Sequence, residues 1–188
     1  MKPKDYLIVV LGPVPLLLIP LIGTLVSAEW NWTVSDFVGG WVLLAGATLV
    51  YRLLATQAGA DMSYRAGAGL AVVAGLLLTW ITLAVGIIGS EGNPVNALYF
   101  GVILVGLAGV GLSRFQAHKL ARAAWVTAGL NFLVPVIAWV VRPGDFSPGV
   151  LPVFVLNGVF VALFAGAGLL FRRAEWDLTR TREAAKRG

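Results

Sequence analysis

Side chains able to do chemistry collect in three short stretches of this 188-residue chain. The first holds Glu29, Trp30, Asn31, Trp32 and Asp36. The second, Ser90-Glu91-Gly92-Asn93-Pro94-Val95-Asn96, adds Glu91, Asn93 and Asn96. The third holds Arg142 and Asp145. A carboxylate in a concave site can move protons, so an enzyme would use Glu91, Asp36 or Glu29 as its acid or base. Arg142 is the one base among these stretches, and a pair with Glu91, Asp36 or Glu29 is expected. Such a pair, partly buried, would hold the loops in register and be costly to break from one side. A cap of helix starts closed by one ion pair is the plainest expectation, against a ligand or cation site or a docking surface for another subunit.

A second set is uncharged and lies deep within apolar sequence: Thr79, Thr82, Asn131 and Asn157. Thr127, Asn131 and Pro135 are one helical turn apart and share a face. Hydrogen bonds between helices account for them, at roughly 0.6 kcal/mol per contact in a membrane; a polar lining for a small solute is the alternative. Other chemistries lack their residues. The chain has no cysteine, which removes thiolate ligands and Cys nucleophiles. No Lys interrupts an apolar run, so a retinal Schiff base is excluded. His118, the single histidine, sits in Gln116-Ala117-His118-Lys119 and is expected to be a solvated loop residue. No catalytic residue, metal or cofactor is expected, although a lipid, quinone or pigment between helices would leave little trace in sequence.

The elements that position these residues follow from composition. The chain is 59% hydrophobic and 12% charged, with a mean hydropathy of +0.87; soluble domains carry about twice that charged fraction. Six apolar runs are each near the ~20 residues that cross a bilayer, at about 6–27, 37–57, 66–89, 95–113, 123–141 and 150–171. None alternates as a barrel strand would. The expected fold is all-α, one polytopic domain over residues 1–188, a bundle of six transmembrane helices with a basic tail at 172–188. Of the 14 Lys and Arg residues, all but Arg142 fall before run one, between the end of run two (Arg52) and the start of run three, between runs four and five, and after run six. Basic residues stay cytoplasmic during insertion, so both termini are expected there, in a bacterial inner membrane. The pI of about 10.0 then reflects topology and anionic headgroups, not nucleic acid.

Finer signals fit this outline. Residues 1–28 have signal-peptide features, but the apolar stretch is long for one, so a retained span is expected. Pro13, Pro15 and Pro20 should kink or break that span. Thr33 and Asp36 have capping-box spacing, and Asn93-Pro94 and Ser147-Pro148 read as helix starts. Small residues at Gly67, Ala71, Gly75 and Thr79, at Gly158, Ala162 and Gly166, and at Ala97, Gly101 and Gly109 should form packing seams. Trp30, Trp32, Tyr99 and Trp139 suit an outer aromatic belt; Tyr6, Tyr51, Tyr64, Trp125 and Trp176 suit an inner one. In the tail, Glu183 lies a turn from Lys186 and Arg187, as in a helix.

Trp30-Asn31-Trp32-Thr33 with Asp36-Phe37, and Trp80-Ile81 through Ala84–Glu91 to Asn93-Pro94, Asn96 and Tyr99-Phe100-Gly101, resemble an uncharacterised family of small bacterial inner-membrane proteins. The ending Phe171-Arg172-Arg173 also fits. The family commonly has Asn where this chain has Thr82, and it carries no assigned activity. The resemblance therefore implies class and location. The expected function is that of a non-enzymatic structural or accessory subunit, or a lipid-interacting protein. Its partners would be anionic headgroups at the cytoplasmic face or a larger membrane complex. The alternative is an oligomeric transporter or channel for a small solute or lipid.

Overall fold

The computed structural model describes residues 3–27, 30–57, 59–147 and 149–187, with side chains described for all of these except residue 3 and residues 181–187. Among the described residues the chain is helical throughout, without strands. Six helical segments are long and apolar enough to cross a membrane: Lys4–Val26, Val34–Ala55, Met62–Ala84, Pro94–Ser113, Ala117–Val141 and Val150–Arg180. Many of their apolar side chains are bare, among them Leu104 at 66% and Val140 at 80% exposed. Surface of that kind belongs against lipid, not water.

The chain divides into two compact units, Met1–Thr56 and Gln57–Gly188. In the first unit the proline-rich span is two helices, α1 (Pro3–Leu11) and α2 (Val14–Val26), separated at Gly12-Pro13. Both pack on α3 (Val34–Ala55). Helix α2 restarts with Leu17 N–H donating to the Pro13 carbonyl (3.1 Å). The Trp41 indole of α3 donates to the Val10 carbonyl (3.1 Å) in the last turn of α1, giving that backbone group the partner it needs where no water reaches. Near the start of α1, Asp5 is almost fully buried and pairs with Arg52 in the last turn of α3. The expected capping box starts α3: the Thr33 side chain accepts from Asp36 N–H, and Asp36 accepts from Thr33 N–H (2.7 Å).

The second unit contains α4 (Met62–Ala84), α5 (Ala97–Ser113), α6 (Ala117–Val141) and α7 (Val150–Arg187). Helix α7 packs between α4 and α6, and α5 packs on α6. Close approaches occur where side chains are small. A Cβ on Gly67 would come 3.2 Å from the Ala167 carbonyl oxygen, one on Gly166 3.2 Å from Leu70, and one on Gly109 2.6 Å from the Ala123 Cβ. Gly101 and Gly158 have nothing within 4 Å of such a Cβ, so the expected seams at those two glycines are not formed within the unit. The core is a single apolar cluster that includes Leu78, Ile88, Val134, Val153, Phe160 and Phe164.

Several expected boundaries move. The third span ends at Ala84, not Gly89, because the backbone turns at Gly86 and Gly89 with φ of +77° and +73°, values natural only to glycine. Asn93-Pro94 starts a short 3-10 turn, Pro94–Asn96, which leads into α5. Helix α6 begins at Ala117, which places His118 in its first turn and not in a loop, and His118 Nδ1 stands 3.9 Å from Glu175 Oε1 of α7. Helix α7 runs 38 residues, about 57 Å at ~1.5 Å per residue, well beyond a ~30 Å hydrocarbon core. The Ser147-Pro148 start rests on Pro148, outside the described residues, and the Glu183 pairing rests on side chains that are not described.

Candidate functional site

The best-defined polar construction joins Val85–Asn96 to Arg142–Phe146 at one end of the second unit. The amide of Asn96, 2% exposed, is its centre. Asn96 Oδ1 accepts from the backbone N–H groups of Ile87 (3.2 Å) and Ile88 (3.0 Å), while Nδ2 donates to the carbonyls of Ile88 (3.2 Å) and Ser90 (2.8 Å). One side chain thus supplies the partners that a helix would have given this segment, and Ile87 and Ile88 can turn inward at 3% and 0% exposure. Gly86 permits the arrangement, since a Cβ there would lie 2.7 Å from Asn96 Nδ2.

Asn93 has two tasks. Its Oδ1 accepts from Val95 N–H (3.1 Å), and its Nδ2 donates to Asp145 Oδ2 (3.1 Å). The same Asp145 oxygen stands 3.1 Å from Arg142 Nε. Arg142 is therefore paired with Asp145 of its own loop and not with the expected Glu91 of the same unit; of the other two expected partners, Asp36 belongs to the first unit and Glu29 lies outside the described residues. The short Pro143–Asp145 turn brings the carboxylate back within three residues, and a local partner requires less ordering than one on another loop. Both groups are partly exposed, so the pair itself contributes ~0–1 kcal/mol. Its role is to let Asp145 join the two loops. Glu91 is exposed and lies outside this network.

In the first unit, Asp36 is engaged by Thr33, whose hydroxyl also donates to Asp36 Oδ2 (2.7 Å). Trp32 packs on Phe37 at 5.2 Å between ring centroids, the Trp30 ring lies against Gly23, and Asn31 is exposed. Glu29 lies outside the described residues.

The deep polar residues separate into two kinds. Thr79 and Thr82 donate to the carbonyls of Gly75 (2.8 Å) and Leu78 (2.7 Å) in their own helix. Asn131 and Asn157 do meet, and Tyr99 joins them. Tyr99 is 1% exposed and its hydroxyl donates to Asn157 Oδ1 (3.0 Å), so it is an interior residue and not part of an outer belt. Asn157 Nδ2 donates to Val153 O (2.9 Å). Asn131 Nδ2 reaches Asn157 O and Oδ1 only at 3.4 and 3.5 Å, and Asn131 Oδ1 is buried without a partner. Pro135 has no N–H to offer the Asn131 carbonyl one turn back.

The periodicity of α5 could have placed Tyr99 correctly. Asn96, Tyr99 and Val102 are buried three residues apart while Leu98 and Leu104 are exposed, so the inward face includes Tyr99. Among the described residues no group of three or more His, Asp or Glu side chains could share a metal ion. Comparison with family models, curated proteins and solved structures finds nothing that matches this chain.

Proposed function

We propose that this chain is a multi-pass protein of a bacterial inner membrane, both termini cytoplasmic, which acts without catalysis as an accessory or structural subunit or as a lipid-interacting protein. The likeness of its Trp30–Phe37 and Trp80–Gly101 segments to small bacterial inner-membrane proteins belongs to the same proposal. One observation carries it: the polar groups gathered at the loop end are engaged with one another. Asn96 serves the backbone of Ile87, Ile88 and Ser90, and Asp145 serves Asn93 and Arg142. Below them Val134, Ala138 and Val153 fill the levels between that end and the Tyr99–Asn157–Asn131 cluster. The arrangement suits a rigid lid on a dry bundle.

Native mass spectrometry of the protein extracted from its own membranes in mild detergent tests this reading. Masses above 19.9 kDa that contain other polypeptides support an accessory subunit, and retained phospholipid supports lipid interaction. A protein carrying neither refutes both. An oligomeric transporter or channel for a small solute or lipid is the second reading, favoured by the unpartnered Asn131 Oδ1 and the break at Gly12-Pro13. Solute or lipid flux in proteoliposomes holding this chain alone would select it.

A further inference from the structure

Helices α6 and α7 run antiparallel at the end of the second unit opposite the Asn96 loop, and two contacts fix their register. His118 faces Glu175, at 3.9 Å. The Trp125 indole faces Gly168, where a Cβ would lie 2.8 Å from Nε1. Residues 118, 122 and 125 form one stripe of α6, and residues 168, 172 and 175–176 form one stripe of α7. Arg122 therefore stands opposite the level of Phe171 and Arg172. The residues just before the two arginines, Ala121 and Phe171, are each 2% exposed, whereas Arg122 and Arg172 are exposed. Both arginines thus leave the helix pair on the same open side. Trp125 (42% exposed) and Trp176 (61% exposed) border them along the stripes, and the Arg172 guanidinium lies 6.0 Å from the Trp176 ring centroid.

Two like charges that leave adjacent helices at one level and on one side repel each other, and an anion between them relieves that repulsion. The nearest carboxylate on the facing helix, Glu175, is opposite His118, and no ion pair among the described residues uses Arg122 or Arg172. Exposed tryptophans bordering arginines at the end of apolar helices mark the headgroup level. Guanidinium groups match phosphate oxygens in a fork geometry, and basic pockets between membrane helices take phosphorylated headgroups. We propose that Arg122 and Arg172, flanked by Trp125 and Trp176, form a binding site for the phosphate headgroup of one anionic phospholipid. The site deepens the lipid-interacting reading above and rests on the membrane placement proposed there.

The test is a lipid titration of the purified full chain in mild detergent, with bound lipids counted by native mass spectrometry. Phosphatidylglycerol should bind more tightly than phosphatidylcholine. Each arginine near a membrane surface is worth ~1 kcal/mol, so R122Q/R172Q should weaken phosphatidylglycerol about thirty-fold and each single variant about fivefold. Phosphatidylcholine binding should stay unchanged. R65Q/R114Q removes the same charge at the same end and should change phosphatidylglycerol binding less than about twofold. Where the double variant does not fold, the two single variants carry the test. Equal affinity for the two lipids overturns the site, as does equal loss in R65Q/R114Q, or displacement of phosphatidylglycerol by inorganic phosphate. Co-purification with other polypeptides is read in the same spectra without added lipid, so the accessory-subunit reading stands or falls on its own.

Discussion

Replacing Asn96 by alanine should loosen one end of the bundle while leaving every helix intact. The amide makes four hydrogen bonds to backbone groups of Ile87, Ile88 and Ser90, and each is worth ~1 kcal/mol net. Ser90 is exposed, so its carbonyl can turn to water. The groups on Ile87 and Ile88 cannot, since those residues are 3% and 0% exposed. The expected loss is therefore about 3 kcal/mol. The aspartate variant sharpens the test. N96D keeps an oxygen facing the two N–H donors but puts a second oxygen against the carbonyls of Ile88 and Ser90. It should be at least as damaging as N96A at neutral pH, although it is nearly the same shape. Equilibrium unfolding in mild detergent gives the stabilities, and limited proteolysis reads the loop directly, with new cleavage confined to Val85–Ser90. A loss below about 1 kcal/mol for N96A, or an N96D protein as stable as the parent, would refute the role assigned to this amide.

Three further outcomes are expected. Asp5→Ala should destabilise by about 2–3 kcal/mol, at the low end for a buried pair because the Arg52 side chain is 25% exposed; Asp5→Leu with Arg52→Leu should recover most of that loss in a double-mutant cycle. Arg114→Gly should stabilise by about 1 kcal/mol in denaturant titrations, since Arg114 holds a left-handed φ of 49° that glycine adopts without strain. Asn131→Leu should be neutral or stabilising by up to about 1 kcal/mol, because it removes an unpartnered buried oxygen and only two long contacts; a marked loss in the same assay would mean that the amide has a partner, as the transport reading requires.

What could be read ahead of the structure, and what could not, divides along physical lines. Spans follow from the length of apolar sequence, and the capping box at Thr33 and Asp36 is local, so both were recoverable. Ending α4 at Ala84 was not, because Val85, Ile87 and Ile88 are as apolar as the helix before them. Only the left-handed Gly86 and Gly89, together with an amide eight or nine residues away, make that segment a loop. The partner of Arg142 was missed because charge counting treats all carboxylates alike, while the Pro143–Asp145 turn makes one of them local. Thr127, Asn131 and Pro135 do share a buried face, but the residue that Asn131 reaches, Asn157, lies on α7 and is itself held by Tyr99 of α5, and single-helix periodicity does not reveal either. Tyr99 was placed by depth when its position around the helix decides its environment.

The two ends of the second unit are held by different physics. At the loop end the neutral amide of Asn96 holds the Ile87–Ser90 backbone, and the one ion pair there, Arg142 with Asp145, is local and joined to the other loop through Asn93. The opposite end gathers Arg65, Arg114, Lys119, Arg122, Arg172 and Arg173, and its turn between α5 and α6 is fixed by neutral bonds: Tyr64 hydroxyl to Phe115 carbonyl (3.0 Å) and Phe115 N–H to the Ser113 hydroxyl (3.0 Å). His118 faces Glu175, and the arginines are left to solvent or, on the membrane placement proposed above, to headgroups, where screening acts within ~8–10 Å. Salt and lipid charge should therefore act on the basic end and leave the Asn96 loop unchanged. Between the ends, lipid offers little hydrophobic drive for helix association, and Gly67, Gly109 and Gly166 let neighbouring helices come close instead. A bundle closed tightly at one face and left charge-responsive at the other is suited to being anchored by its surroundings, and that asymmetry is the strongest physical reason to look for its function in what binds the basic end.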